Sequence, residues 1–369
     1  MESLLLVSDP FGDSYSVQFE FTLSVLKILK KTFNVSIFSP HFPKDKLSEL
    51  ESLGIKVIRG KGRFWINGIL NVIGKKNESM MWLESWFREA YFSKNTKEVQ
   101  GLGSFDKVIN LSLTVPIKSD ILLLQGRSVY YPLNDIKSSN SFAALAVRFL
   151  GKSIKKHDLD LLQFFRTLSK KVIVNSKYLS SFYENLGYEI EGVVLTSKNF
   201  DKFKPQVGRK RDYVLTYIGK ETDILPIFLI AERGLKVKGF GSKVPVGISL
   251  AKIRSAIEYL GYVSTEDLVN LYAGALFTAF PFTEEPFGYV PIESMSCGTP
   301  VLTYNKEGPS ETIINGKTGW LVSSKEEFVN VATEIWKNGH GLSSEDCVAR
   351  ASEFKPENVV QALLNILQN

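Results

Sequence analysis

Two acidic residues separated by a short apolar turn, Glu285 and Glu293, are the part of this sequence best suited to chemistry. They lie in the stretch EEPFGYVPIESMSCGTP (284–300), with seven residues between them. Pro291 suits the first turn of a short helix, and Gly298 suits its C-terminal stop. Glu285 is therefore expected in the loop before the helix and Glu293 in its first turns, so that the two carboxylates reach different parts of one extended ligand.

The mouth of this predicted helix is suited to binding an anion. Phe287, Gly288 and Tyr289 present backbone N–H groups that have no partner within the helix, and the positive end of the helix dipole lies behind them. Gly288 also allows a ligand to approach the backbone closely. Carboxylates accept hydrogen bonds from the vicinal hydroxyls of sugars. A phosphate held by N–H groups, with an acid on each side for a polyol, describes a nucleotide sugar.

The elements that must position these residues alternate between strand and helix. Short apolar runs typical of buried parallel strands form a first series at 4–8, 35–39, 55–60, 107–112, 121–126 and 171–176. A second series follows at 213–219, 235–241, 276–282 and 300–305. Repeated βα units predict an α/β fold with doubly wound sheets. Because the polar, basic stretch 199–212 separates the series, we predict two Rossmann-like domains, 1–203 and 204–355, that face each other across a cleft.

The composition excludes several classes of protein. The 25 Phe, 14 Tyr and 5 Trp argue against disorder, and two cysteines are too few for a secreted disulfide framework, so we predict a cytoplasmic location. The first apolar run is too short for a signal peptide, and no stretch is long enough to span a membrane. The net charge of +6 arises in the first domain, where it suits a phosphorylated ligand, an anionic membrane surface, nucleic acid or only a lysine-coated surface. Among these we predict no nucleic-acid partner, and the scattered histidines predict no metal site.

The sequence from 284 to 322 resembles the donor-site signature of the GT4 family of retaining glycosyltransferases, which have the GT-B fold. The pair of Glu285 and Glu293 matches the paired acids of that family, and the segments GTPV and NGKTGWLV match those that follow. The similarity extends upstream to 259–282, 199–205 and 171–187, and to the loop DPFGDS at 9–14.

This resemblance implies an enzyme that moves a sugar from a nucleotide-diphosphate sugar to a hydroxyl acceptor, with retention of the anomeric configuration and without a cofactor. It implies that Glu285 hydrogen-bonds the donor sugar and Glu293 the ribose, while the N–H groups at the helix mouth contact the sugar and the diphosphate. Gly12 would approach the phosphates from the first domain, which would hold the acceptor. The last helix, about 356–369, would cross back to that domain.

Two positions depart from the pattern of the family. Gly219 and Lys220 stand where the family has Gly-Arg, and Lys220 can neutralise the leaving diphosphate as a point charge, although no second lysine follows in the loop. Gln125 stands where the family often has histidine, and Arg127 follows closely. Glutamine donates a hydrogen bond but is not a base at neutral pH. We expect Gln125 and Arg127 on the acceptor side, and we predict that Glu285 and Lys220 are catalytic.

The sequence leaves other functions open. The departures at 220 and 125 favour a degenerate GT-B scaffold that binds a nucleotide or sugar without catalysis, whereas the intact pair of glutamates argues against it. A GT-B epimerase or phosphorylase is a further alternative, although no signal for a pyridoxal lysine is evident.

The stretch 77–92 bears on the acceptor. Helical spacing places Trp82, Trp86 and Phe87 near one face, beside basic residues. Such a face suits either packing within the domain or contact with a membrane surface. The second reading favours a lipid-linked acceptor and peripheral contact with the inner face of the membrane. A glycan or a small molecule is the other acceptor predicted.

Overall fold

The computed structural model describes residues 1–9, 11, 17–59, 104–127, 152, 156, 159–196, 200–206, 208, 210–219, 221–241 and 248–368. The chain divides into two compact units: unit 1 is Met1–Asn199 with Pro356–Asn369, and unit 2 is Phe200–Lys355. This division falls just before the boundary predicted after residue 203. The reason is that Phe203 packs against both Phe200 and Tyr272, in the core of unit 2.

Unit 1 contains a parallel sheet of seven described strands. In chain order they are β1 Ser3–Val7, β2 Asn34–Ser39, β3 Lys56–Arg59, β4 Lys107–Asn110, β5 Ser119–Leu124, β6 Ser169–Val174 and β7 Gly192–Val193. They lie in the order β3-β2-β1-β4-β5-β6-β7. The described helices in the first part of unit 1, up to residue 199, include α1 Val17–Leu29, α2 Lys44–Ser52 and α3 Lys177–Glu184. Because successive side chains of β1 point to opposite faces, Leu4 and Leu6 join one core cluster and Leu5 and Val7 another.

Unit 2 contains a second parallel sheet, with six described strands. They are β8 Val214–Tyr217, β9 Val237–Phe240, β10 Glu258–Gly261, β11 Phe277–Phe280, β12 Val301–Tyr304 and β13 Gly319–Val322, in the order β10-β9-β8-β11-β12-β13. Its described helices are α4 Ile224–Glu232, α5 Leu250–Ala256, α6 Thr265–Gly274, α7 Tyr289–Ser296, α8 Glu307–Thr312, α9 Lys325–Asn338 and α10 Ser344–Ser352. The two sheets confirm the predicted α/β class and the two Rossmann-like domains.

Serine side chains fix the starts of several helices in unit 2. The Oγ of Ser264 accepts a hydrogen bond from the N–H of Asp267 at the start of α6, and Ser324 does the same for Glu327 at the start of α9. Each serine satisfies one of the backbone donors that a helix leaves without a partner at its first turn. These caps set where the helices begin, and hence where the loops between strand and helix end.

The last helix of the chain, α11 Pro356–Gln368, belongs to unit 1. Val359, Val360 and Leu363 are buried in the same core cluster as the side chains of β1 and α1. The Nζ of Lys171, on β6, also donates to the carbonyl oxygen of Ile366 at 2.8 Å. The helix therefore covers apolar surface of a sheet formed from residues far earlier in the chain.

In the parallel sheet of unit 2, the order in which successive strands are added reverses between β8 and β11. Strands β9 and β10 lie on one side of this pair and β12 and β13 on the other. In open α/β sheets, ligands bind beyond the carboxyl ends of the strands at such a switch point. The loops that leave β8 and β11 are bound together there: the N–H of Thr283 donates to the carbonyl of Glu221 at 2.7 Å, and the N–H of Asp223 to that of Pro281 at 3.1 Å.

Candidate functional site

Glu285 lies in the loop between β11 and α7, directly before the helix mouth. Its Oε1 atom accepts hydrogen bonds from the backbone N–H groups of Phe287, at 3.2 Å, and Gly288, at 3.1 Å. The sequence predicted that these two groups point outward toward a ligand, and in this structure they donate to Glu285 instead. The physical reason is that a side-chain carboxylate can accept hydrogen bonds from the free N–H groups at the positive end of a helix, just as a bound anion can.

Gly288 adopts a backbone conformation that only glycine takes up readily. It caps α7 with φ of 100°, in the left-handed region. A Cβ atom added here would lie 3.0 Å from Cγ of Pro309, closer than an ordinary contact. Phe287, beside it, buries its ring against Tyr289 and Phe354, so that only its backbone remains for a ligand.

Glu293 projects from α7 into a nearly closed environment, since the residue is 6% exposed. The hydroxyl of Tyr272, a fully buried residue on α6, donates to its Oε2 atom at 2.9 Å. Burial, together with the neighbouring charge of Glu293, raises the pKa of the Tyr272 phenol well above its usual value, so this donor keeps its proton. Sequence reasoning missed Tyr272 because it reads as an apolar residue of an amphipathic helix.

Tyr217 lies at the end of β8, one of the two strands at the switch point of the second sheet. Burial raises the pKa of its phenol well above the usual value, and the carboxylates of Glu221, Glu285 and Glu293 raise it further through their charge. The chain itself brings the two predicted glutamates to the switch point of the sheet, because the loop after β11 carries Glu285 and the helix that follows, α7, carries Glu293.

Gly219 is required by the side chain of Tyr217. A Cβ atom at Gly219 would lie 2.2 Å from Cε1 of Tyr217, so any larger residue would displace the ring. Lys220, the predicted catalytic cation that follows, lies outside the described residues, as does Gly12 of the first domain.

Glu221 is a third acid at this site that sequence reasoning missed, although its position directly after Gly219 and Lys220, at the end of a strand, was a usable signal. Its Oε2 atom is buried and has no hydrogen-bond partner among the residues that the structure describes. A buried carboxylate oxygen without a donor is costly unless a ligand or water supplies one.

The acceptor-side candidates lie in unit 1, at the carboxyl ends of its strands. The backbone carbonyl of Gln125 accepts a hydrogen bond from Nδ2 of Asn175 at 3.2 Å, while the buried side-chain Nε2 of Gln125 has no partner in the described part of the chain. The guanidinium of Arg127 lies over the rings of Tyr178 and Phe182, at 5.5 and 5.8 Å from their centroids. Both side chains thus belong to the region after β5, and Arg127 is engaged with aromatic rings there.

Asp9 is a third residue that sequence reasoning missed. It follows β1, at the switch point of the first sheet between β1 and β4. Its carboxylate accepts from the backbone N–H groups of Leu113, at 3.1 Å, and Thr114, at 3.0 Å, and from the hydroxyls of Ser112 and Thr114. The end of β1 is therefore fixed, through Asp9, to the segment that follows β4.

Comparison with known proteins identifies the family. The model for glycosyl transferases group 1 matches residues 165–354, which is more than half of the chain. A probable sucrose-phosphate synthase of Thermosipho melanesiensis is 34% identical over 115 residues, which are 30% of this chain and 27% of that protein. An alpha-1,3/1,6-mannosyltransferase of Neurospora crassa is 23% identical over 288 residues, which are 70% of this chain and 54% of that protein. The aligned parts therefore cover well under two thirds of these relatives.

Solved structures extend the similarity to the whole chain at the level of the fold. A sucrose-phosphate synthase of Thermosynechococcus elongatus has a TM-score of 0.70 and 15% identity, covering 100% of this chain and 98% of that one. HepE of Anabaena, solved in complex with UDP and glucose, has a TM-score of 0.68 and 14% identity, covering 100% of both chains. With its two parallel-sheet α/β units and the matched family model, the chain belongs to the glycosyl transferases group 1 family and has the GT-B fold.

Proposed function

We propose that this protein is a retaining glycosyltransferase that moves a sugar from a nucleotide-diphosphate sugar to a hydroxyl acceptor. The observation that carries the proposal is the placement of Glu285 at the mouth of α7 and of the buried Glu293 on the same helix, directly after β11 at the switch point of the second sheet. Family membership supports transfer as the reaction. The complex of the Anabaena protein with UDP and glucose supports a nucleotide sugar as the donor.

In the proposed mode of binding, unit 2 holds the donor. Glu293, buried on α7 and fixed by Tyr272, accepts hydrogen bonds from the ribose hydroxyls. Glu285 accepts from hydroxyls of the transferred sugar. Its carboxylate first leaves the helix mouth, so that the N–H groups of Phe287, Gly288 and Tyr289 become donors to the sugar and the diphosphate. Gly219 allows the backbone to approach the phosphates, and Gly12 does so from the first domain.

The proposed reaction needs no protein base. The bond between the anomeric carbon and the diphosphate oxygen breaks, the acceptor oxygen bonds to the same carbon on the same face, and the leaving phosphate oxygen takes the acceptor proton. Lys220 and the helix mouth stabilise the negative charge that develops on the diphosphate. Positioning by Glu285 supplies much of the remaining rate enhancement. We propose that the reaction uses no metal and no cofactor. We also propose that Gln125 and Arg127 lie on the acceptor side.

The proposed acceptor is a glycan or a lipid-linked molecule. An O-antigen chain mannosyltransferase B of Escherichia coli, 32% identical over 117 residues that are 30% of this chain and 29% of that protein, supports a glycan. The stretch 77–92 lies outside the described residues, and we retain peripheral contact with the inner membrane face as a proposal. Every helix within the described residues falls short of the length or apolar character that a bilayer span requires. A cytoplasmic location remains our proposal.

Donor binding is the first test. Thermal unfolding is measured with UDP, GDP and ADP and with sugars attached to each, and a ligand at about 100 times its dissociation constant adds about 2.7 kcal/mol to the free energy of unfolding. We expect one base to stabilise the protein well above the others. The absence of stabilisation by every nucleotide and nucleotide sugar would contradict the proposal.

Turnover is the second test, with the donor that binds. Release of the nucleoside diphosphate and transfer to carbohydrate acceptors are measured for the wild type and for Glu285→Gln. We expect kcat/KM to fall about 100-fold, as when an interaction made mainly in the transition state is removed. Glu326→Gln, the same change at an exposed glutamate of α9, should retain wild-type kinetics. Donor binding without release or transfer would instead identify a non-catalytic binding protein.

A further inference from the structure

Glu307, on the segment after β12, has an unusual backbone conformation. Its φ is 55°, and every other described residue with a positive φ is glycine. For residues with a Cβ atom, this left-handed region is sterically unfavourable. Such a conformation persists only where the surrounding contacts impose it, and it often accompanies a functional constraint.

The side chain of Glu307 contacts the loop that carries Glu285. Its Oε2 atom accepts a hydrogen bond from the backbone N–H of Glu285 at 2.7 Å, and its side chain is only 14% exposed. A short bond from an N–H to a carboxylate is among the stronger hydrogen bonds in proteins. Nζ of Lys306 is 4.0 Å from the other carboxylate oxygen and belongs to a side chain that is 46% exposed, so this ion pair contributes little.

The residue after Glu307 completes the hold on Glu285. The N–H of Gly308 donates to the carbonyl oxygen of Glu285 at 3.2 Å, so residues 307 and 308 engage both backbone polar groups of that residue. A Cβ atom at Gly308 would lie 2.1 Å from the carbonyl oxygen of Pro286, which means that the two segments touch through their backbones. The left-handed turn at Glu307 is what brings its carboxylate and the N–H of Gly308 to the same residue.

From these contacts we infer that Glu307 is a positioning residue for the donor site, because it clamps the backbone of Glu285 before the donor binds. The inference rests on the proposed function. If Glu285 must move its side chain from the helix mouth to the sugar, a fixed backbone limits that movement to rotation of the side chain. The clamp thereby keeps the carboxylate within reach of both positions.

Three substitutions separate positioning from a merely structural role. Glu307→Gly removes the carboxylate but relieves the left-handed strain, so these opposing effects should leave the melting temperature nearly unchanged. Glu307→Gln keeps an oxygen that can accept from the N–H of Glu285. Glu326→Gln is the control for loss of one negative charge from unit 2.

The experiment measures amide hydrogen exchange of Glu285 together with donor kinetics. We expect the amide in Glu307→Gly to exchange about tenfold faster, with kcat/KM for the donor about tenfold lower, and we expect Glu307→Gln to recover most of both. Wild-type exchange or wild-type kinetics in Glu307→Gly would overturn the inference. It would also be overturned if both variants lost activity only in proportion to their melting temperatures.

The failure of this inference is distinct from the failure of the proposed function. If the wild type neither binds nor turns over any nucleotide sugar, the proposed function is refuted. The exchange rate of the Glu285 amide in Glu307→Gly then supports or overturns the clamp by itself.

Discussion

At the scale of single residues, the two glutamates occupy different environments although seven residues separate them. Glu285 accepts from backbone donors in a loop, whereas Glu293 is buried and accepts from a phenol. The position of Glu285 in a loop and of Glu293 on the following helix could be predicted, because proline, glycine and the strand before them are local signals. Tyr272 could not, because the bond joins residues 21 positions apart through packing of two helices. The same limit applies to the contact of Glu307 with Glu285.

Removal of one hydroxyl tests whether Tyr272 fixes Glu293. In Tyr272→Phe we expect the free energy of unfolding to fall by about 1–3 kcal/mol, because a buried carboxylate loses a donor. Nucleotide affinity, measured by titration calorimetry, should weaken about tenfold, since the carboxylate no longer has one orientation. Tyr262→Phe, at a residue that is 69% exposed, should change neither quantity. Unchanged nucleotide affinity in Tyr272→Phe would contradict a role for this pair in binding.

His340 gives unit 2 a predictable dependence on pH. Burial lowers the pKa of its imidazole, and the nearby charge of Arg211 lowers it further, while the carbonyl of Leu276, 3.0 Å from Nε2, acts in the opposite direction. The N–H of Leu342 donates to Nδ1, so the neutral ring has its proton on Nε2. The stability from this neutral histidine is complete above the unfolded-state pKa, about 6.5, and is lost as the pH falls below it.

The pH dependence is measured by urea unfolding between about pH 8 and pH 5. The free energy of unfolding of the wild type should decrease more steeply below about pH 6.5 than that of His340→Gln, whose side chain does not titrate. Parallel profiles for the two proteins would mean that His340 is protonated as easily in the folded chain as in the unfolded one.

At the scale of elements, the predicted strands that line the site were found, and the ones that were not predicted lie at the edges. Strands β10 and β13 are the outer strands of the second sheet, and β7 is an outer strand of the first. Strand β7 has only two residues, β10 alternates between exposed and half-buried residues, and the two middle residues of β13 are half-buried. Central parallel strands are buried on both faces and so appear as apolar runs, whereas these partly exposed edge strands lack that signal. The order of strands was likewise inaccessible, because it depends on contacts distant in sequence.

The start of α7 can be tested through its glycine cap. Gly288→Ala places a Cβ at φ of 100° and 3.0 Å from Pro309, so we expect a loss of about 1–3 kcal/mol in the free energy of unfolding and of most donor affinity. Gly316→Ala is the matched control, since φ there is 74° but nothing lies within 4 Å of the added atom. It should lose stability through backbone strain alone and keep its donor affinity. Equal donor affinity in the two variants would mean that the backbone conformation at Gly288 does not affect donor binding.

At the scale of the whole molecule, the chain returns to its first unit in its last helix. The amphipathic pattern of α11 was evident in the sequence, but its partner surface was predicted only by resemblance to a family. The structure gives the physical reason: Val359, Val360 and Leu363 fill the core cluster beside α1 and β1. Gly12 and Lys220, both predicted at the donor site, lie outside the described residues, so their roles remain predictions.

Truncation of one buried side chain tests the contribution of α11. In Leu363→Ala we expect the free energy of unfolding of unit 1 to fall by about 2–5 kcal/mol, because removal of the fully buried side chain leaves a cavity. Gln361→Ala, at an exposed position of the same helix, should have almost no effect. The change in the free energy of unfolding is measured by urea unfolding monitored through amide hydrogen exchange in β1. Unaltered protection of β1 would contradict a stabilising role for this helix in unit 1.

The most direct test of the account is a crystal structure of the protein with the nucleotide sugar that stabilises it most. We predict that the ribose hydroxyls lie within hydrogen-bond distance of the Glu293 carboxylate and hydroxyls of the sugar within that distance of Glu285. The diphosphate should lie at the N-terminus of α7, with Glu285 no longer bonded to Phe287 and Gly288. A nucleotide sugar bound away from these two carboxylates, or a helix mouth still occupied by Glu285, would contradict the proposed site.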